Sequence, residues 1–190
     1  NALLSLATVW RDKMESKVIA ITGSNGKTTT KELLHHIIKS KYKCSKSIDN
    51  HNSTIGLPLS LFNCETDDEY TVLELGANQP GEIKTLCDFV KPDLALITNI
   101  SNAHIENFNS LQDIVKTKSA VFTSLKSFGI AFINLNDQMI SKIPINSKKV
   151  TFGINNSDAD YNGMLKNDTQ IKINDSELNI PNSLSHLNET

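Results

Sequence analysis

The chain is 190 residues long, 38% hydrophobic and 21% charged, with 19 basic against 21 acidic side chains and a net charge of −2. This length and apolar fraction support one sizeable core, and the near balance of charge removes the electrostatic footprint of a nucleic-acid- or membrane-binding surface. No apolar run approaches the roughly 20 residues that span a bilayer, and Cys44, Cys64 and Cys87, odd in number and without metal-ligand spacing, are expected to be reduced packing residues of a cytoplasmic protein.

Leu3, Leu6, Ala7 and Trp10 recur at helical spacing and run into Arg11-Asp12-Lys13, so residues 1–16 read as a leading helix or linker. The chain opens without Met and stops at Leu187-Asn188-Glu189-Thr190 with no closing element, which predicts a fragment of a longer protein. Residues 17–190 are then one domain.

Val18 to Thr22 is a short, mostly β-branched apolar run. Gly23-Ser24-Asn25-Gly26-Lys27-Thr28-Thr29-Thr30 follows it, and a helix with Leu33, Leu34, Ile37 and Ile38 on one face comes next. Strand, glycine loop and helix in that order predict a phosphate site. Glycines let backbone N–H groups approach phosphate oxygens, and the helix N-terminus adds its positive dipole end. Lys27 would neutralise the outer phosphates, and the Thr28 hydroxyl is placed to ligate Mg²⁺. The general phosphate-loop pattern wants glycine at position 21 and finds Ile21, so this loop is shorter; a plain left-handed turn capping a strand is the alternative.

Asp49 to Pro58 is a polar, then glycine- and proline-punctuated loop entering a helix over 57–62. Residues 69–76 read as a buried strand with Glu74 near its C-terminal end, where a carboxylate could hold Mg²⁺ or cap the next helix. Ile83, Leu86, Cys87 and Val90 make the apolar face of a helix stopped at Pro92, and residues 93–100 form the next strand. His104 lies just after it in a polar turn. Ser110 with Asp113 predicts a capped helix over 111–127. On that helix Lys118 falls at i+4 from Ile114 and i−4 from Phe122, on the inward stripe. A buried lysine is depressed in pKa, and its neutral amine can take up carbon dioxide as a carbamate; snorkelling or pairing with a carboxylate is the alternative. Strands follow over 129–135 and 148–154, and 170–174 with a turn at 174–177 reads as a hairpin in an Asn-rich tail.

The alternation predicts an α/β fold with a mostly parallel sheet flanked by helices on both faces. Ligands then bind beyond the carboxyl ends of the strands, where the loop, Glu74, His104 and Asn134-Leu135-Asn136-Asp137 collect.

The ordered set Thr22–Glu32, Asn50–Pro58, Leu73–Asn78 with Gly81-Glu82-Ile83, Ala103–Glu106 and Lys116-Thr117-Lys118 resembles the central ATP-binding domain of the Mur ligases. The resemblance implies a P-loop NTPase-like domain of an amide-bond-forming enzyme of peptidoglycan precursor synthesis, using ATP and two Mg²⁺ ions. It implies UDP-MurNAc-tripeptide and D-Ala-D-Ala as substrates, no nucleic acid, no membrane span and a monomer. By motif position, Gly23 to Thr29 hold the nucleotide, with Asn134 and Asn136 approaching it, and Lys27 is catalytic. Thr28 and Glu74 bind one metal, and His104 with carbamylated Lys118 serves the second and completes the catalytic set. Asn50 and Asn52 face the muramyl-peptide substrate. Ala120, Ser53, Asn107 and Asn109 depart from the family's usual residues. The family's flanking domains are expected to lie outside this chain, which would leave it without turnover. Another Mur ligase, a folylpolyglutamate synthase-like ligase or a non-catalytic nucleotide-binding module are the alternatives.

Overall fold

In the computed structural model, which describes residues 2–101, 108, 110–167 and 170–179, helices and strands alternate along most of the chain. The elements are α1 (Ala2–Lys13), β1 (Lys17–Thr22), α2 (Lys27–Lys39), β2 (Cys44–Lys46), α3 (Gly56–Leu61), β3 (Tyr70–Glu74), α4 (Glu82–Val90) and β4 (Leu94–Ile97). They continue with α5 (Leu111–Thr123), β5 (Ile130–Asn134), α6 (Gln138–Ser141), β6 (Lys148–Ile154), β7 (Tyr161–Asn167), β8 (Gln170–Ile173) and β9 (Ser176–Asn179).

The strands form one sheet in the order β2-β3-β1-β4-β5-β6-β7-β8-β9. Every pairing from β2 to β7 is parallel, and β8 and β9 fold back antiparallel. The expected mostly parallel α/β sheet is what forms. Strands β1 and β3 are short apolar runs buried on both faces, whereas β4 and β5 are buried on one face and half-buried on the other, and the alternation along the strands divides the core. Val18 and Ala20 of β1 enter one layer with α1, α3, α4 and α5, whereas Ile19 and Ile21 enter a second with Leu34 and Ile38 of α2. Among the described residues α2 alone packs on that second face. Beside it Leu94, Leu96, Phe132 and Phe152 line an apolar trough.

Helix α1 is fastened to this core rather than lying apart from it. Ala7 and Met14 are buried, and the buried Arg11 donates to the carbonyls of Val90 at 2.8 Å, Met14 at 3.1 Å and Ser16 at 3.3 Å. The three cysteines are buried free thiols. Burial pushes Cys64 and Cys87 up to about 12, far from a reactive thiolate.

Three elements were not foreseen from sequence: β2, α6 and β7. Strand β2 has three residues, α6 has four, and β7 carries the mostly exposed run Tyr161–Asn167. Such segments are too short or too polar to leave a periodic signal. Helix α5 ends at Thr123, short of the expected 127, because the chain turns there and Lys126 N–H bonds to Pro92 O on the way into β5. The hairpin at the far edge forms as expected, with Asn174 at φ 50° in its turn.

Candidate nucleotide and metal site

The loop after β1 turns on two glycines, Gly23 at φ 150° and Gly26 at φ 74°. The first intrahelical bond of α2 runs from Thr30 N–H to Gly26 O at 2.9 Å. The N–H groups of Lys27, Thr28 and Thr29 therefore precede the ladder and emerge at the helix end, with no side chain capping them. Asn25, Gly26, Thr28 and Thr29 are exposed. An uncapped, positive helix end open to solvent is an anion site in waiting.

Strand β4 lies beside β1, and its polar end holds the loop in this shape. Asn99 grips both sides of Asn25: its Oδ1 accepts from Asn25 N–H at 3.1 Å, and its Nδ2 donates to Asn25 O at 3.1 Å. Thr98 Oγ1 donates to Asn25 O at 2.6 Å. Ser24 N–H bonds to Asn99 O at 2.9 Å, and Ser24 Oγ donates to Ser101 O at 3.1 Å. Thr98, Asn99 and Ser101 are site residues that sequence reasoning missed. Their signal was a polar cluster closing an apolar strand, but the partners lie more than 70 positions away. Gly23 must be glycine, because a Cβ there would stand 1.9 Å from Thr98 Oγ1 and φ 150° is strained for any other residue. Gly23→Ala is expected to lower unfolding free energy by about 2–4 kcal/mol, read from denaturant midpoints, and to weaken nucleotide binding.

Two lysines converge on one carbonyl. Lys27 Nζ donates to Gly23 O at 3.0 Å and Ser24 O at 3.2 Å, and Lys118 Nζ, reaching across from α5, donates to Gly23 O at 2.9 Å. Lys118 is 6% exposed, on the inward stripe where periodicity placed it. Burial first, and the Lys27 charge second, pull its pKa from 10.5 down to about 8. Burial also lowers Lys27, opposed by the Glu74 carboxylate.

Glu74 is 2% exposed at the end of β3, and each of its oxygens has a partner. Thr28 Oγ1 donates to Oε2 at 2.8 Å, and Asn52 Nδ2 donates to Oε1 at 2.8 Å. Ser47 Oγ accepts from the Glu74 backbone N–H at 3.0 Å. The hydroxyl and carboxylate paired here are the hard oxygen donors that Mg²⁺ takes, so these residues fit that ion.

Asn50 is exposed in the turn that leads to Asn52, and Asn52 N–H bonds to Asn50 O at 2.8 Å. Asn134 and Asn136 stand at the end of β5, beside Asn99. Asn134 Nδ2 donates to Thr98 O at 3.0 Å, and Asn136 bridges the backbone of Ile154. Asp137, which the sequence placed at this edge without a role, ties the corner to β4 by accepting from Ile100 N–H at 2.7 Å while capping α6. The structure thus gathers Gly23 to Thr29, Glu74, Asn52 and Lys118 around one loop, with Asn134 and Asn136 at its flank. His104 lies outside the described residues.

The Mur ligase middle-domain family model matches residues 21–185. The chain belongs to the Mur ligase family. Among curated relatives, the UDP-N-acetylmuramoyl-tripeptide–D-alanyl-D-alanine ligase of Borreliella burgdorferi is 45% identical over 139 residues, which cover 73% of this chain and 30% of that protein. Among solved structures, the MurF ligase of Thermotoga maritima in complex with ADP superposes with a TM-score of 0.82 at 31% identity, covering 93% of this chain and 43% of that one. The MurF of Acinetobacter baumannii gives a TM-score of 0.82 at 30% identity, over 90% of this chain and 39% of that one. The chain therefore spans about a third of the length of the curated relatives it matches. Among the described residues, no helix is long and apolar enough to cross a membrane.

Proposed function

We propose that this chain is the nucleotide-binding core of a cytoplasmic, monomeric ATP-dependent ligase that joins UDP-MurNAc-tripeptide to D-Ala-D-Ala. The observation that carries the reading is the phosphate loop whose Thr28 meets the Glu74 carboxylate at 2.8 Å, in a family whose relatives with 35–45% identity bear that enzyme's name.

In this reading the N–H groups at the head of α2 and the Lys27 ammonium bind the ATP phosphates. Lys27 leaves the Gly23 and Ser24 carbonyls to do so. The tripeptide carboxylate oxygen attacks the γ-phosphorus, the bond to ADP breaks, and an acyl phosphate forms. The dipeptide amine then attacks the acyl carbon, phosphate leaves, and the amine's proton passes to solvent or a base. Lys27 offsets charge on the transferred group throughout. Thr28 and Glu74 would hold one Mg²⁺, and His104 with Lys118 as its carbamate would serve a second. Bound there, the ions would neutralise phosphate charge. Asn134 and Asn136 approach the nucleotide, and Asn50 and Asn52 border the muramyl-peptide side.

The test labels the tripeptide carboxylate with ¹⁸O and runs the full-length gene product with ATP, Mg²⁺ and D-Ala-D-Ala. One ¹⁸O appearing in each released phosphate is the expected result. Unlabelled phosphate would overturn the acyl-phosphate route.

A further inference from the structure

Lys31 lies on α2, one turn beyond Lys27, with 0% exposure, and among the described residues it is the largest fully buried side chain. The mechanism above does not use it. A lysine in that position costs several kcal/mol of desolvation that an apolar side chain would avoid, so what the ammonium touches matters. Its Nζ donates to the backbone carbonyl of Asp49 at 2.8 Å and pairs with Glu32 at 3.3 Å. Glu32 also pairs with Lys46.

Asp49 is held at φ 39°, a left-handed conformation that costs a non-glycine residue about 1 kcal/mol or more. The surroundings must enforce it, and the Lys31 bond to its carbonyl is an enforcing contact. The turn that follows is tightly tied. His51 N–H bonds to Ile48 O at 2.9 Å, and Gly76 N–H bonds to Asn52 O at 2.8 Å. A Cβ on Gly76 would stand 2.6 Å from Asn52 Oδ1, so β3's exit and the turn are in direct contact. From that seat Asn52 reaches Glu74 Oε1.

Thr28 and Lys31 are three apart on α2 and share a face. Thr28 holds one Glu74 oxygen directly. We infer that Lys31 is a positioning residue for the other: its buried ammonium fixes the Asp49–Asn52 turn through the Asp49 carbonyl, and the turn presents Asn52 to Glu74. One helix thereby sets both sides of the carboxylate that faces the phosphate loop. The turn's place beside the muramyl-peptide substrate rests on the function proposed above; the anchoring of the turn does not.

The test is residue-resolved amide exchange in the full-length protein bearing Lys31→Met, which keeps the stem and removes the charge. Two adjacent amides separate the outcomes, because Gly76 N–H is bonded to the turn and Leu75 N–H is bonded to Ile21 O in the sheet at 2.8 Å. Exchange at Gly76 is expected to accelerate about tenfold, as for loss of a hydrogen bond from a charged donor, while Leu75 changes less than about twofold. Lys31→Gln, which retains a donor, should restore part of the protection, and it decides the matter if the Met variant does not fold. Equal acceleration at both amides, or none at either, would overturn the inference. Under the proposed function the KM for the tripeptide substrate rises in Lys31→Met, because the turn that carries Asn50 and Asn52 is no longer fixed. A Gly76 amide that opens without that rise upholds the role of Lys31 and counts against the substrate assignment of the turn.

Discussion

Lys118→Ala is expected to lower the ligase rate by about a hundredfold or more, the size of effect seen when one preorganised charge-stabilising group is removed. The side chain crosses from α5 to the phosphate loop and is buried there, donating to Gly23 O at 2.9 Å. At a pKa of about 8 its amine is neutral in roughly a tenth of molecules at pH 7 and nine-tenths at pH 9. An ordinary lysine at 10.5 would be neutral in fewer than about one molecule in a thousand at pH 7. The protonated amine does not react with carbon dioxide, so under the proposed function the carbamate, and the activity that would depend on it, should rise with pH through 8. Bicarbonate depletion should lower the rate of the wild type and leave Lys118→Ala unaffected. Short carboxylic acids should restore part of the variant's activity by supplying the missing anion. Full activity in Lys118→Ala would remove Lys118 from the mechanism.

Lys27→Met is expected to reduce turnover by about a thousandfold. Removing the ammonium leaves the helix N–H groups in place, so nucleotide binding should weaken less than turnover falls. The comparison is nucleotide affinity by calorimetry against phosphate release under saturating ATP. The same substitution removes one of the two ammonium groups on Gly23 O. With the neighbouring charge gone, the Lys118 pKa should rise, because the Lys27 charge is one of the two causes that hold it down. The carbamate-dependent pH response should therefore move to higher pH in binding experiments that do not need turnover.

The phosphate loop, Glu74 and Lys118 were legible because local patterns announce them. A β-branched run before glycines predicts a strand and turn, and a lysine between Ile114 and Phe122 on an amphipathic helix falls on its inward stripe. The same periodicity applies to Lys31, three residues before Leu34 and seven before Ile38, but the polar run Thr28–Glu32 around it masks the stripe. Asn99 was illegible for another reason. Its work is a pair of bonds to Asn25, and only the parallel pairing of β1 with β4 brings the two together. Asn52 could be placed in a polar loop but not against Glu74, since that contact needs β2, whose three residues give no signal, to carry the chain alongside β3. Sequence patterns of this kind reveal what an element does to itself; the missed residues all act on a different element.

The most direct test of the central claim is phosphate release by the full-length gene product with ATP, Mg²⁺ and UDP-MurNAc-tripeptide, measured with and without D-Ala-D-Ala. Release should depend on the dipeptide, with one phosphate for each pentapeptide formed. Release that ignores the dipeptide, or none from a folded protein that binds ATP, would contradict it.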